Sequence, residues 1–408
     1  MAGERTFVIV GAGLTGGAAA TALRDGGFDG RLVVIGAEAH PPYERPPLSK
    51  DYLRGEMKAG EFFLPPADWY AEHDVELRTG ARATSLDLAG KAVQLEDGER
   101  LAFDRLLLAT GGRNRTLTLP GSDLDGICQL RTIEDADRIR EAAAAGGRVA
   151  IVGAGFIGME VAASLRSMGA PVEVVEVFGR PFERVLGPEV GAVFQAIHED
   201  HGVVFHMGEH VDRFEGDGRV QRVVTTEGTV VECDAVIAGV GIEPVADLAV
   251  AAGLEVDNGI LVNQQGATGH PDVFAAGDVA NQDHPLLGRR VRVEHFDNAL
   301  KQGGAVGKSM LGATEPIGDV HWFWSDQYDH NLQMVGYALS WDGIEVRGSL
   351  GDRDFVAFYV KDGIVEAVAG LDRGREVRRA RDLVRAHRRV DPAQLRDPDV
   401  DLKTLAAG

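Results

Sequence analysis

Arg148-Val149-Ala150-Ile151-Val152-Gly153-Ala154-Gly155-Phe156-Ile157-Gly158-Met159-Glu160 passes from an apolar run through three spaced glycines into helix-forming residues. The unbroken apolar run predicts a strand buried on both faces of a parallel sheet, and Glu160 to Leu165 the helix after it. Gly153, Gly155 and Gly158 fit the GxGxxG pattern in the context that gives it meaning, between strand and helix. The first glycine permits a tight turn, the second lets backbone approach a pyrophosphate, and the third lets helix and strand pack closely. Phe156 and Ile157 open the helix, whose N-terminal N–H groups favour phosphate. The next strand, Val172 to Val177, carries Glu176, 18 residues beyond Gly158 (176 − 158). A carboxylate there accepts both adenine-ribose hydroxyls and repels a 2′-phosphate, so NADH is expected over NADPH. The alternatives are a solvated glutamate at a strand end and a phosphate contact from Arg184.

The same pattern occurs about 140 residues earlier, as Phe7-Val8-Ile9-Val10 followed by Gly11-Ala12-Gly13-Leu14-Thr15-Gly16. Ala18 to Leu23 is its helix and Leu32 to Ile35 its second strand, after which come Ala37 and Glu38. Glu38 either binds a ribose from a shifted position or faces solvent. Two further strands close on glycines: Leu101 onward ends in Ala109-Thr110-Gly111-Gly112, and Ala235 to Val240 ends on Gly241. They bracket the second unit, which therefore reads as inserted into the first. After Pro244 the chain returns to the first unit, reaching Val273-Phe274-Ala275-Ala276-Gly277-Asp278. From Asp319 the character changes: Trp322, Trp324 and Trp341 cluster, and alternation over Glu345 to Leu350 and Phe355 to Val360 predicts antiparallel strands. The fold class is α/β, with two doubly wound Rossmann-type domains and a C-terminal α+β domain. Expected boundaries are 1–113 and 243–318 for the first domain, 114–242 for the second and 319–408 for the third.

Composition narrows the function. A length of 408 residues exceeds one ordinary core, and 44% hydrophobic residues support several. A formal net charge of −21 argues against nucleic-acid and anionic-membrane partners. Cys128 and Cys233 lie far apart without a CxxC or Cys/His cluster, so neither a metal site nor an adjacent dithiol is expected. Phe7 to Val10 is too short for a signal peptide or membrane span, and a soluble cytoplasmic protein is expected.

Several stretches are individually specific: Pro42-Tyr43-Glu44-Arg45-Pro46-Pro47-Leu48-Ser49-Lys50, Ala109-Thr110-Gly111-Gly112, Leu130-Arg131-Thr132, Gly155-Phe156-Ile157-Gly158-Met159-Glu160, Phe274-Ala275-Ala276-Gly277-Asp278 and Trp322-Phe323-Trp324-Ser325-Asp326-Gln327-Tyr328. In this order they resemble the NADH-dependent ferredoxin reductases of Rieske oxygenase and cytochrome P450 systems, over nearly the whole chain. The resemblance implies an FAD site at the first glycine triplet. It implies that Arg45, Pro46 and Lys50 face the flavin, with Lys50 able to pair with Glu160 beside the nicotinamide. Without it, Lys50 reads as a surface lysine and Glu160 as a first-turn helix carboxylate. Asp278 is implied to bind the ribityl and pyrophosphate region, its alternative being a helix N-cap. Arg131 is implied near FAD phosphate or adenine, with the backbones of Thr15, Ala37 and Ala83 along the same path. Ile157, Glu160, Glu176, Arg184 and Gly241 belong to the NADH side. If Trp322 to Tyr328 is a strand, Trp322 and Trp324 share one face, where their bulk serves either the core or an electron-transfer platform, a role favoured for Trp322 over Trp324. Two departures occur where the protein partner docks: Phe296 or His295 replaces a tryptophan, and His321 a proline.

Related disulfide reductases place a reactive cysteine where this chain reads Tyr43 to Lys50, without sulfur. The implied route is hydride from NADH to FAD, then single electrons to a [2Fe-2S] ferredoxin supplying a cytochrome P450 or Rieske oxygenase. Acidic ferredoxins need local basic residues, for which Arg289, Arg290 and Arg292 and the run Arg373 to Arg389 are candidates, a solvated helix face being the alternative for the run. A rubredoxin reductase, a monodehydroascorbate-type reductase and an NADH-responsive signalling flavoprotein are the competing readings.

Overall fold

The computed structural model describes residues 5–144 and 146–407. They fall into two compact units. The first comprises the chain up to Glu44, Lys58–Arg113 and Ile242–Asp319; the second comprises Arg45–Met57, Asn114–Gly241 and the chain from Val320.

In the first unit five parallel strands run in the order Val273–Ala275, Arg105–Leu108, Thr6–Val10, Arg31–Ile35, Val75–Arg78. Numbered along the chain this is the reverse of 3-2-1-4-5, the doubly wound order, with the first strand at the switch point. Alternate residues of Thr6–Val10 serve opposite faces. Phe7 and Ile9 pack with Ala19, Leu23, Val306 and Met310, from the helices Leu14–Asp25 and Phe296–Met310. Val8 and Val10 pack with Val93, Leu95 and Leu101 of a three-stranded antiparallel sheet. Burial on both faces explains why the strand is apolar from Phe7 to Val10.

The second unit repeats the plan. Its parallel sheet runs Val204–Met207, Val172–Glu176, Val149–Val152, Ala235–Ala238, Ile127–Cys128. The second strand stops at Glu176, one residue short of the expected Val177. The Glu176 carboxylate accepts the Phe178 N–H at 3.0 Å and turns the chain there. A five-stranded antiparallel sheet follows, ordered Trp322–Gln327, His330–Gly336, Ile364–Leu371, Asp354–Lys361, Gly343–Ser349. Its inner residues Leu332, Phe355 and Tyr359 share one apolar core with Val149, Ile151, Leu165 and Phe194. The buried Tyr359 hydroxyl donates to the Leu186 carbonyl at 2.8 Å. These C-terminal strands therefore complete the core of the second Rossmann unit. Among the described residues no helix is long and apolar enough to cross a membrane, and no group of three metal-ligating side chains converges.

Candidate cofactor and electron-transfer site

Both glycine triplets have the shape a dinucleotide requires. Gly11 holds φ 121°, and a Cβ there would collide with the Ala109 carbonyl; a Cβ on Gly16 would strike the Gly11 carbonyl. These two glycines are demanded by packing. Gly13 differs, since a Cβ there would meet no heavy atom within 4 Å. Its bare backbone faces open space beside the N-terminus of Leu14–Asp25, an end whose N–H groups favour anions. Around it, Gly277 (φ 77°) approaches Thr15 too closely for any side chain, and its N–H donates to Gln302 at 2.7 Å. Gly111 also needs positive φ (68°), and Thr110 donates to the Val245 carbonyl at 2.6 Å. Ala37 is exposed past the second strand, and half-buried Ala83 starts an antiparallel strand. Glu38 is half-buried and accepts from the Tyr43 hydroxyl at 2.5 Å, so it is held rather than freely solvated.

Asp278 is not a helix cap: it lies inside the 3-10 turn Gly277–Val279, whose N-cap is Ala276. Its charge partly offsets the burial that pushes the imidazole of His295 down to about 4. His295 caps Phe296–Met310, and Phe296 is the first residue of that helix. The basic cluster expected at 289–292 is largely used internally. Arg290 donates to the Val262 and Asn281 carbonyls, and Arg292 pairs with Glu294 at 2.6 Å.

The second triplet follows the same rule. Gly153 (φ 102°) leaves only 2.6 Å between a Cβ and the Gly239 carbonyl, and a Cβ on Gly158 would strike the Gly153 carbonyl. Gly155 has open space. Beneath this turn the buried Glu176 accepts the Ala154 N–H at 2.5 Å as well as that of Phe178. Two of roughly four carboxylate acceptor positions are thereby used, leaving capacity for two ribose hydroxyls. Exposed Arg184 stands 6.0 Å from the Phe178 ring, and Ile157 is 48% exposed. Phe156 instead packs its ring on Phe182 and Phe323, which engages the side chain in the core. Gly241 holds φ 89° at the end of its segment. Replacing Glu176 with Ala is expected to lower kcat/KM for NADH about tenfold while leaving that for NADPH level or higher. Steady-state kinetics with both nucleotides check this; an unchanged NADH-to-NADPH ratio contradicts it.

The third feature is a buried charge cluster. Pro46–Ser49 forms a 3-10 turn followed by Lys50, whose Nζ lies 2.6 Å from Glu160 Oε2. Glu160 is the fifth residue of Phe156–Ser167 and only 4% exposed. It lies beyond the first turn, where the dipole falls off, so the first-turn reading is corrected: its partners are side chains. Ser49 donates to Oε2 at 2.5 Å and Ser325 to Oε1 at 2.7 Å. Ser164 ties the helix to the Ser49 carbonyl at 2.7 Å. Arg45 donates to the Arg131 carbonyl. The Arg131 N–H donates to Asp135 at 2.9 Å. Trp322 and Trp324 stack with centroids 5.0 Å apart and planes 17° from parallel, on one face of their strand. The Trp322 indole N–H is buried without a hydrogen-bond partner, whereas that of Trp324 donates to Asp326. His321 is buried edge-on to Tyr337.

Sequence reasoning missed Ser49, Ser325, Gln327, Tyr328 and His198 as a connected group. His198 lies on the helix Glu183–Asp200 and is fully buried, which pushes its imidazole down to about 4. Below the ordinary value of 6.5 the unfolded chain binds a proton that folded His198 refuses, so stability falls as pH drops from 6.5 through 4. The loss attributable to this group is on the order of 3 kcal/mol. Thermal unfolding across pH 4–7 should show a smaller slope in His198→Phe than in the parent; equal slopes contradict the assignment.

Residues 5–303 match the pyridine nucleotide-disulphide oxidoreductase family, and residues 322–406 the reductase C-terminal family. The chain is 40% identical over 403 residues to the anthranilate 1,2-dioxygenase system ferredoxin–NAD(+) reductase component of Burkholderia cepacia, covering 98% of each chain. It is 38% identical over 406 residues to putidaredoxin reductase of Pseudomonas putida, covering 98% of this chain and 96% of the relative. The fold superposes on the crystal structure of the covalent putidaredoxin reductase–putidaredoxin complex with a TM-score of 0.95 and 37% identity, over 100% of this chain and 99% of the other.

Proposed function

Because the chain belongs to the pyridine nucleotide-disulphide oxidoreductase family, we propose that it is an FAD-dependent NADH:ferredoxin reductase. Its partner is a [2Fe-2S] ferredoxin that supplies a cytochrome P450 or Rieske oxygenase. The observation that carries this reading is the buried Lys50–Glu160 pair in a chain whose Tyr43–Lys50 segment holds no thiol. FAD held by these residues would supply hydride acceptance and one-electron release, chemistry that no side chain here supplies.

The chain's own residues bind, orient and balance charge. In the first domain, 1–113 with 243–318, the Gly11–Gly16 turn, Glu38, Ala109–Gly111 and Gly277–Asp278 hold FAD; Arg45, Pro46 and Arg131 keep the FAD roles that the resemblance implies. In 114–242, Gly153–Gly158, Glu176, Arg184 and Gly241 hold NADH. Lys50 supplies a fixed cation that stabilises the added negative charge, and Glu160 keeps that cation in place. Neither cysteine competes as an electron carrier: burial pushes both thiols up, Cys233 to about 12.

The segment 319–408 presents the ferredoxin face, with Trp322 at the exit. Arg375, Arg378, Arg379, Arg385 and Arg389 are exposed on or just after the helix Gly374–Ala386 and supply the positive charge that an acidic ferredoxin needs. We place the protein in the cytoplasm, in keeping with its NADH substrate and two unbridged cysteines.

The test is NADH-driven cytochrome c reduction through added ferredoxin. Turnover should require the ferredoxin, and its second-order rate should fall about tenfold between low and physiological salt. Ferredoxin-independent turnover contradicts the function, and a salt-independent rate contradicts the docking face.

A further inference from the structure

Glu160 Oε1 ends a longer chain of buried polar groups. Ser325 Oγ lies 2.7 Å from Oε1, and Gln327 Nε2 lies 3.0 Å from Ser325 Oγ. Gln327 Oε1 lies 2.8 Å from His198 Nε2, and Tyr328 Oη lies 3.0 Å from His198 Nδ1. Each donor is fixed by the one before it. A carboxylate only accepts, so Ser325 must donate to it and accept from the Gln327 amide NH2. The Gln327 oxygen then faces His198, which must carry its proton on Nε2. Nδ1 is left as an acceptor, so Tyr328 donates to it. All four hydrogen bonds run the same way, toward Glu160.

This arrangement is costly for a core. Glu160, Ser325, Gln327 and His198 are all under 5% exposed, and the His198 ring meets Phe205 edge-on. Buried polar groups are tolerated only when satisfied, and a connected network fixes one geometry. Tyr328 is held at φ 57°, a strained value for an aromatic residue, and its ring stacks on His201 at 3.5 Å. In this conformation the turn delivers the phenol to His198.

We propose that Tyr328, His198, Gln327 and Ser325 form a one-way hydrogen-bond relay that positions the Glu160 carboxylate for hydride transfer. They are positioning residues, and this inference rests on the assignment of Lys50 and Glu160 to the hydride-transfer site. The relay orients and does not conduct: a proton hop through Gln327 would require an imidic-acid form of its amide. Its role is to hold Oε1 so that Oε2 stays on Lys50 and Ser49.

The test uses FAD-loaded protein. In Ser325→Ala, Gln327→Met and His198→Phe, anaerobic flavin reduction by NADH should slow about five- to tenfold, with NADH affinity within about twofold of the parent. Because the groups act through one chain, Ser325→Ala combined with Gln327→Met should be no slower than either alone. Independently of turnover, nitrogen-15 NMR of labelled histidine, with His198 assigned by its Phe variant, should show the Nε2–H tautomer at pH 7.5.

The relay is overturned if the single variants leave the rate unchanged, if weaker NADH binding accounts for the loss, if the double variant is multiplicatively slower, or if His198 carries its proton on Nδ1. Glu160→Gln, run alongside, separates the two claims. If it leaves the rate unchanged, the hydride-site assignment fails; if it slows the rate while the relay variants do not, only the relay fails.

Discussion

Lys50→Met is expected to slow flavin reduction by NADH about 100-fold and to lower stability by roughly 3–5 kcal/mol, because it leaves a buried carboxylate without its counter-charge. The Lys50 Nζ to Glu160 Oε2 distance of 2.6 Å and the low exposure of both residues put the pair in an environment where charges are weakly screened. Glu160→Gln should slow reduction to a similar degree but cost less stability, since its amide oxygen can still accept from Lys50 and Ser49 while its NH2 donates to the Ser325 hydroxyl oxygen. Combining the two substitutions should restore much of the stability and none of the rate, because no buried charge is then left without a partner. Stopped-flow reduction together with thermal unfolding reads both effects. A double variant that recovers rate along with stability would show that the pair is structural.

The second large effect separates glycines that serve the fold from those that serve the ligand. Gly155 has φ −78° and ψ 178°, which any residue adopts, and open space where a Cβ would stand. Gly155→Val should therefore leave the unfolding temperature within about 2 °C while weakening NADH binding about 100-fold or more. At Gly158 a Cβ would strike the Gly153 carbonyl, so Gly158→Val should destabilise the second unit by about 1–3 kcal/mol or more. Calorimetry and NADH titration of the two variants decide the matter. Equal destabilisation by both would mean that the triplet is only a packing device, and unimpaired NADH binding by Gly155→Val would remove the nucleotide from this turn.

The same contrast explains what could be read from the sequence. Phe7 to Val10 and the strand Val149–Val152 are apolar at every position because both their faces are buried, and the glycine triplets mark where each sheet reverses order. These are local signals. The shared core between Leu332, Phe355 and Tyr359 and the segment around Val149 joins residues about 200 apart, and no periodicity records such a pairing. Lys50 and Glu160, 110 residues apart (160 − 50), could be paired only through resemblance. His198 gave no signal, because a histidine on the inner face of an amphipathic helix reads as ordinary core. Its role depends on Gln327 and Tyr328, which come from a strand end and a turn far along the chain. Arg290 and Arg292 misled for a related reason: a run of arginines suggests a surface patch, yet their guanidinium groups satisfy carbonyls and Glu294 nearby.

The most direct test of the account is an anaerobic double-mixing experiment. FAD-loaded protein is first reduced by one equivalent of NADH, then mixed with [2Fe-2S] ferredoxins from P450 and dioxygenase systems. Flavin reduction by NADH should be rapid and preferred over reduction by NADPH, and about two ferredoxins should be reduced per NADH consumed. Flavin that is reduced by NADH yet passes electrons to none of the ferredoxins, or only to a small-molecule acceptor, would contradict this expectation.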